Sequence, residues 1–384
     1  MTSKSRVALA RCERYEDAKH AIGGCLSRLG CLNLFRGKSV FLKVNLMKGA
    51  PPERAISTHP EFVRAMIQIV REQGGTVSVG DSSGVLGFTS EAFRASGIEA
   101  VCREEGAKLL NLDACVIVKK PVNGKVLDFI WTAENVLNAD VLVTLPKLKT
   151  HSLTLLTGAL KNQIGLLVGG TKCEVHLVAP RLREFAAAVA DINAGVRFHL
   201  GVVDGIWGLE GGDSSKGWRK QSNLVAASTD LVALDAVCAH LMSIEPDEVL
   251  TTVAARERGL GTGTLSEIDV LGDSLESCRT SFARPGREMK RHPCIAKRIY
   301  RLRGRSLSPI ALPDRCQKCR RCAELCPTRA IACDPYPRID MAACIRCFAC
   351  RENCPHGAMK LKCAWYLKPF YKRRAEGLAL DALA

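Results

Sequence analysis

Short apolar runs rich in β-branched residues recur along the first 278 positions, and longer stretches with helical spacing lie between them. The runs predict strands at 6–10, 39–45, 76–80, 140–146, 198–203, 223–227 and 268–271. The stretches between them predict helices that end near residue 32 and span 58–74, 90–105, 134–139, 153–164, 180–194, 230–242 and 246–258. Strands that alternate with helices favour an α/β fold with a mostly parallel sheet flanked by helices.

Two cysteine-rich runs dominate the C-terminal part of the chain. Each has the spacing C-x2-C-x2-C-x3-C-P, and equivalent cysteines lie 28 positions apart. Such short spacers let the first three thiolates of a run surround one Fe4S4 cluster, while the fourth, followed by proline, binds the other cluster. This pattern assigns Cys316, Cys319, Cys322 and Cys354 to a first 4Fe-4S cluster, and Cys344, Cys347, Cys350 and Cys326 to a second.

Structural zinc is the alternative use of these eight cysteines. Zinc sites usually combine separated C-x2-C pairs into one tetrahedral site, which two collinear runs closed by proline fit poorly. The segment resembles bacterial-type two-cluster ferredoxins over about 50 residues, including an alanine three positions after each of Pro327 and Pro355. The resemblance implies electron transfer.

Three shorter parts therefore follow the predicted α/β domain at 1–278. We expect a basic linker at 279–308 with one helix at 288–303, and a small α+β ferredoxin-like domain with two clusters at 309–362. An aromatic and basic tail completes the chain at 363–384. The tail could lie at a lipid interface or pack against the neighbouring domain, and we favour packing.

The formal net charge of +16 lies entirely in the C-terminal part. Residues 279–384 contain 24 Lys and Arg against 8 Asp and Glu, whereas residues 1–278 contain 31 of each. This surface could steer an acidic partner, an anionic substrate or a membrane, or it could be a solvated face that stabilises anionic clusters. We do not expect nucleic acid binding, because no base-reading module accompanies the charge.

The expected location is the cytoplasm. Oxygen-labile clusters and unpaired thiols among the 19 cysteines require a reducing compartment. No secretory signal and no apolar run long enough to span a bilayer is found, so we do not expect membrane association.

Polar residues follow four of the predicted strands, and ligands of open parallel sheets bind beyond the carboxyl ends of their strands. The candidates for catalysis or binding are Lys43, Asn45, Asp81, Lys147, Lys149, His151, Lys161 and Asp204. The lysines and His151 could hold a carboxylate or phosphate, and Lys161 could donate a proton. Asp81 and Asp204 could handle protons, and together with Glu210 and Asp213 they could bind a divalent cation. Each residue alone could instead be a solvated loop charge or a turn cap.

These segments resemble the uncharacterised family called domain of unknown function 362, over roughly residues 36–275. The resemblance rests on Lys43-Val-Asn45, Gly80-Asp-Ser-Ser-Gly84, Pro146-Lys-Leu-Lys-Thr-His151, Gly158-Ala-Leu-Lys-Asn162 and Val203-Asp-Gly205. Members often carry a C-terminal ferredoxin module. The family brings no established reaction, so the resemblance implies an architecture rather than a chemistry.

Three weaker motifs compete with this interpretation. Ser82 stands in a G-x-S-x-G pattern, but the nucleophile elbow of hydrolases needs a helix directly after the serine. The segment 165–172 resembles a phosphate loop without its Gly-Lys-Ser/Thr order. Cys173 and His176 could bind a metal, although we expect an exposed loop there.

We favour a redox enzyme in which two 4Fe-4S clusters relay low-potential electrons to a small anionic substrate in the α/β crevice. Its partner would be an acidic electron donor such as ferredoxin or flavodoxin. The alternative is a non-enzymatic electron carrier or redox-sensing subunit whose α/β domain is a docking platform. A hydrolase that uses Ser82 is the third hypothesis.

Overall fold

The computed structural model describes residues 4–212, 217–285 and 293–364. Its strands are β1 (Ser5–Arg11), β2 (Ser39–Val44), β3 (Thr76–Asp81), β4 (Lys108–Asn111), β5 (Ile117–Pro121), β6 (Phe129–Ala133), β7 (Val141–Leu145), β8 (Lys147–His151), β9 (Leu155–Leu156), β10 (Leu200–Glu210), β11 (Trp218–Ser228), β12 (Ile268–Gly272), β13 (Leu307–Ala311), β14 (Ile331–Cys333), β15 (Pro337–Ile339) and β16 (Met359–Cys363). Its α-helices are α1 (Ala18–Leu29), α2 (Pro60–Glu72), α3 (Thr89–Ala95), α4 (Ile98–Glu104), α5 (Glu134–Leu137), α6 (Gly158–Asn162), α7 (Thr171–Val178), α8 (Leu182–Gly195), α9 (Leu231–Leu241), α10 (Leu250–Glu257), α11 (Leu275–Cys278), α12 (Pro293–Gly304), α13 (Arg321–Glu324) and α14 (Ala349–Glu352).

The large sheet has the strand order β12-β1-β11-β10-β7-β2-β3-β4, with β8 beside β10 and β9 beside β8. Strand β11 is antiparallel to both of its neighbours, β9 is antiparallel to β8, and the other pairings are parallel. The sheet is flanked by helices on both faces. The predicted fold class is therefore confirmed.

Both faces of the sheet are buried because alternate side chains of each strand enter different cores. In β2, Phe41 belongs to one apolar cluster together with residues of α8 and α9. Its neighbours Val40 and Leu42 belong to the opposite cluster, together with residues of α1 and α2. This two-sided burial explains why the strands are continuous apolar runs in the sequence.

The C-terminal part is a small α+β unit that rests on the large sheet domain. Strand β13 pairs with β16 and β14 pairs with β15, both antiparallel, and the helices α13 and α14 follow the cysteine runs. Phe348 is buried in an apolar cluster with Val85, Leu86 and Phe88 of the large domain. No helix within the described ranges has the length and apolar character needed to cross a bilayer.

Several predicted elements are wrong in detail. The helix predicted at 90–105 is two helices, because Gly97 takes a positive φ of 77° between α3 and α4. The helix predicted at 153–164 contains β9 and the short α6, and the exposed loop expected at Cys173 and His176 is helix α7. Strand β4 and the β5–β6 hairpin were not predicted.

The basic helix predicted at 288–303 corresponds to α12, and its residues 288–292 lie outside the described residues. The expected tail also lies outside them, except for Cys363 in β16 and the adjoining Ala364.

Candidate functional site

The polar residues at the carboxyl ends of the strands meet at one edge of the sheet, because the strands that carry them pair in parallel. Lys43 of β2 pairs in register with Gly80 of β3 and with Thr144 of β7, and Asp204 of β10 pairs with Lys147 of β8. These pairings place six of the eight candidate residues into three hydrogen-bonded groups.

The first group is an ion pair between Lys43 and Asp81. The Lys43 Nζ lies 2.9 Å from Asp81 Oδ1 and donates to the Val44 carbonyl at 2.8 Å. Asp81 Oδ2 accepts the Leu46 amide at 2.8 Å. Burial raises the pKa of Asp81 to about 6 and lowers the pKa of Lys43, and each charge partly opposes the shift of the other.

The second group joins Lys147 and Asp204 to two aromatic residues. The Lys147 Nζ lies 2.9 Å from Asp204 Oδ2 and donates to the Tyr15 hydroxyl at 2.8 Å. Asp204 also accepts the Tyr15 hydroxyl at 3.1 Å and the His59 amide at 2.9 Å. The Tyr15 and His59 rings stack with centroids 3.6 Å apart, and burial lowers the pKa of His59 to about 4.

The third group is an amide network around Lys149. The Lys149 Nζ donates to Asn45 Oδ1 at 2.5 Å and to the Ile56 carbonyl at 3.0 Å. Asn45 Nδ2 donates to Asn162 Oδ1 at 3.0 Å, and Asn162 Nδ2 reaches Thr144 Oγ1 at 2.9 Å. The network ties the ends of β2, β7 and β8 to helix α6.

These six residues do not form the open crevice that the sequence predicts around them. Lys43, Lys147 and Asp204 have no exposed surface, and Asp81 and Lys149 are 2% and 5% exposed. A buried charge without a partner is costly, so each lysine ammonium is held by a carboxylate or by amide and carbonyl oxygens.

The carboxylates of the predicted divalent cation site have other partners in the structure. Asp81 and Asp204 each face a lysine, and Glu210 accepts the Trp218 indole and the Ala283 amide. In the part of the chain that the structure describes, no three His, Cys, Asp or Glu side chains are placed to hold one metal ion. Asp213, which could have joined such a site, lies outside the described residues.

The two remaining candidates, His151 and Lys161, are half-buried. His151 ends β8, and its Nδ1 accepts the Leu153 amide at 3.1 Å. Lys161 lies on α6, which packs against β8, and its ammonium has no hydrogen bond or ion pair to another described residue. Desolvation lowers the pKa of Lys161 to about 8.

A buried network beside the first group was missed from the sequence. Ser82 Oγ donates to Asp113 Oδ1 at 2.6 Å, and Asp113 Oδ2 accepts the Thr89 hydroxyl at 2.6 Å. Lys172 donates to Ser82 Oγ and, at 3.1 Å, to the Ser83 carbonyl. Burial lowers the pKa of Lys172, opposed by the nearby Asp113 and Asp81 charges.

Recognition of strand β4 in the sequence would have allowed this network to be predicted. Asp113 follows β4 by two residues, so it fits the pattern of polar residues after strands once that four-residue strand is recognised. Ser82 is 1% exposed, and α3 begins only at Thr89. The serine therefore does not occupy a strand-to-helix nucleophile elbow.

Cysteines line two cavities in the C-terminal unit. The first is lined by Cys316, Cys319, Cys322 and Cys354 with Cys333 beside them, and the second by Cys326, Cys344, Cys347 and Cys350. In each cavity, three cysteines of one run meet the fourth cysteine of the other. This grouping is the one that the cysteine spacing predicts for multi-iron clusters, and it differs from the separated C-x2-C pairs of zinc sites.

A positive residue lies within the cysteine run that lines the second cavity. Arg346 stands between Cys344 and Cys347, and its Nε is a buried donor with no acceptor among the described residues. A buried donor of this kind requires a partner, and an anionic iron–sulfur cluster is a suitable one. The residues present therefore fit the cofactor that the cysteine spacing predicts.

The second cavity lies against the large domain, whereas the first faces outwards. The Gly170 amide donates to the Arg346 carbonyl at 2.9 Å, and a side chain at Gly169 would collide with the Cys347 backbone. Arg351 donates to the Gly87 carbonyl at 2.6 Å. Cys347 is buried by this packing, while Cys319 is exposed.

Comparisons with known proteins agree with both parts of this architecture. The family model described as domain of unknown function (DUF362) matches residues 40–240, and the model described as a 4Fe-4S binding domain matches residues 309–332. A relative named Thylakoid-associated protein sll1697, from Synechocystis sp., is 30% identical over 263 residues, which cover 66% of this chain and 78% of that protein.

Among solved structures, the lactate racemase apoprotein from Thermoanaerobacterium thermosaccharolyticum superposes with a TM-score of 0.41 and 11% identity. The match covers 64% of this chain and 58% of that chain, less than two thirds of its length. Both resemblances identified from the sequence are confirmed: the chain belongs to the DUF362 family and carries a 4Fe-4S binding domain in its C-terminal part.

Proposed function

We propose that this protein is an electron-transfer enzyme that binds two 4Fe-4S clusters and relays low-potential electrons to a small anionic substrate in the α/β domain. When bound, such clusters supply one-electron redox chemistry. Cys316, Cys319, Cys322 and Cys354 would hold one cluster, and Cys326, Cys344, Cys347 and Cys350 the other. The packing of the second cysteine cavity on the α/β domain is the observation that supports the proposal most strongly.

A short chain of contacts connects that cavity to the end of β3. The Arg346 carbonyl accepts the Gly170 amide, and the adjacent Gly169 amide donates to Asp113 Oδ1 at 2.8 Å. Asp113 in turn accepts the hydroxyl of Ser82, the residue after Asp81. Packed and hydrogen-bonded groups therefore join the second cavity to the polar edge of the sheet without a gap.

Lys161 is the residue best placed to hold an anion there. Lys43 and Lys147 are already paired with aspartates, whereas the half-buried Lys161 ammonium has no described partner. His151 and the Lys149 network lie on β8, against which α6 packs. With its lowered pKa, Lys161 can both attract a carboxylate or phosphate and donate a proton to it.

The outward-facing first cavity would receive electrons from an acidic donor such as ferredoxin or flavodoxin. Lys318, Arg320 and Arg321 line it and are exposed. Opposite charges on the donor would be steered to this surface at low ionic strength. The chemistry requires a reducing compartment, which we take to be the cytoplasm.

The test begins with anaerobically purified full-length protein. We expect iron and acid-labile sulfide for two clusters, and loss of about half of each in Cys316→Ser or Cys344→Ser. Reduction by flavodoxin should slow as salt is added, and Arg320→Gln with Arg321→Gln should weaken that salt dependence. Zinc without sulfide would overturn the cofactor assignment, and a rate insensitive to salt would overturn the donor site.

A non-enzymatic carrier or redox sensor is the second candidate. It is favoured by the burial of the three hydrogen-bonded groups, because they leave no open crevice for a substrate. Native mass spectrometry of the protein with bound small molecules separates the two functions. An enzyme should lose its bound anion in Lys161→Met but keep it in Lys108→Met, an exposed control. If neither variant changes the bound species and no small anion is found, the α/β domain is a docking platform.

A further inference from the structure

Helix α12 exposes a stripe of large apolar side chains. Ile295, Ile299 and Leu302 are 60%, 44% and 43% exposed. Their i, i+4 and i+7 spacing places them on one face of the helix. Of the seven exposed large hydrophobic side chains in the described part of the chain, three lie in this stripe.

The opposite face of α12 is fixed to the α/β domain. Tyr300 is half-buried and its ring stacks on that of His176 in α7, with 3.9 Å between centroids. Tyr300 also packs against the apolar cluster that contains Phe348 and Val85. Because this face holds the helix in place, the stripe points away from the rest of the described protein.

Positive charge surrounds the stripe. Lys297, Arg298, Arg301 and Arg305 are exposed, and the helix sequence contains no acidic residue. Arg298 lies three residues after Ile295, which makes it a neighbour of the stripe on the helix surface, and Arg305 directly follows the last helical residue. An acidic protein surface would satisfy the arginines but would leave the isoleucines in contact with polar groups.

The chain leaves the described residues beside this helix. The Ala364 amide donates to the carbonyl of Ser306, two residues after the end of α12, at 2.9 Å. The sequence that continues from there begins Trp365-Tyr366-Leu367-Lys368. That sequence is aromatic and basic, a composition that favours the boundary between headgroups and acyl chains.

We propose that α12 binds the surface of a membrane rich in anionic lipids. Ile295, Ile299 and Leu302 would enter the outer acyl region, while the arginines and lysine contact headgroup phosphates. A helix with an apolar stripe, a basic flank and no spanning length lies in the interface plane. This inference departs from the expectation drawn from the sequence, and it is independent of the redox function.

The test is flotation of the full-length, cluster-loaded protein with lipid vesicles. We expect binding to phosphatidylcholine mixed with phosphatidylglycerol and much weaker binding to phosphatidylcholine alone. Arg298→Gln and Arg301→Gln should each weaken binding about fivefold, with Arg338→Gln in the C-terminal unit as the exposed control. Ile299→Gln should weaken it roughly tenfold, with Val116→Gln, an exposed apolar residue of the α/β domain, as its control.

Three results would overturn the proposal. The first is binding that the α12 variants leave unchanged, or that is equal for both lipid mixtures. The second is a lower urea midpoint in Ile295→Gln/Ile299→Gln, because it would mean that the protein's own residues 365–384 cover the stripe. The third is a dimer in sedimentation that this double variant converts to monomers, which would make the stripe an interface between two copies of the chain.

Discussion

Lys147 and Asp204 form an ion pair with 2.9 Å between Nζ and Oδ2, and neither side chain has any exposed surface. Breaking one side of such a pair leaves an uncompensated buried charge. We therefore expect Asp204→Asn to lower the free energy of unfolding by ~3–5 kcal/mol, measured by urea denaturation of the anaerobic protein.

The exposed pair between Arg14 and Asp17, at 3.0 Å, is the matched control. Asp17→Asn should cause a far smaller change, because water screens that pair. The double variant Lys147→Met/Asp204→Leu should lose less stability than Asp204→Asn alone. Equal losses for the buried and exposed pairs would show that burial does not control the energy of these charges.

The backbone of Gly165 lies against the Lys43–Asp81 pair. A Cβ added at Gly165 would overlap both Asp81 Oδ1 and Lys43 Nζ. We expect Gly165→Ala to destabilise the fold by ~1–3 kcal/mol through overpacking, measured as a lower urea midpoint.

Gly23→Ala serves as the comparison, since nothing lies within 4 Å of a Cβ at Gly23 in helix α1. That change should stabilise the protein by ~0.5–1 kcal/mol through helix propensity. A neutral Gly165→Ala would indicate that the 3-10 turn at 163–166 moves away from the ion pair at little cost.

His59 should make the folded state sensitive to acid. Burial lowers its pKa from 6.5 to about 4, so below pH 6.5 the unfolded chain takes up a proton that the folded chain refuses until about pH 4. Stability contributed by neutral His59 is therefore lost as pH falls through this window, by up to ~1.4 kcal/mol per pH unit.

Urea denaturation at several pH values between these limits measures the slope. His59→Asn keeps a residue able to cap α2 and should flatten the slope, whereas His20→Asn, at an exposed position, should leave it unchanged. An identical slope in all three proteins would contradict the assignment to His59.

Arg346 should raise the reduction potential of the cluster that the second cavity would hold. Its buried Nε has no described acceptor, and positive charge near a cluster favours the reduced, more anionic state. We expect Arg346→Ala to lower one potential by roughly 60 mV, since 59 mV corresponds to 1.4 kcal/mol for one electron.

The duplicated motif supplies the control for that measurement. Lys318 occupies the equivalent position 28 residues earlier, is exposed and lies over the Tyr336 ring at 5.0 Å. Lys318→Ala should shift the other potential less, because water screens its charge. Anaerobic redox titration followed by electron paramagnetic resonance would resolve the two values, and equal shifts would exclude a special role for Arg346.

The sequence by itself determined the features that depend on neighbouring residues. The continuous apolar runs indicated buried strands. The cysteine spacing predicted which thiolates share a cluster, because three of a cluster's four cysteines lie only a few positions apart and the fourth precedes the proline of the other run. The polar residues after strands also predicted that their side chains would meet at one edge of the sheet, as they do. Short elements such as β4 were not predicted, because four residues are too few to show a clear hydrophobic periodicity.

Only the tertiary structure decided what those polar residues contact. Lys147 meets Asp204 across 57 positions, and Ser82 meets Asp113 across 31, because the strand order places distant segments side by side. The same packing buries the lysines that the sequence suggested for substrate, and it leaves Lys161 half-buried without a described partner. Strand order and burial are collective properties of the whole chain, so no local pattern specifies them.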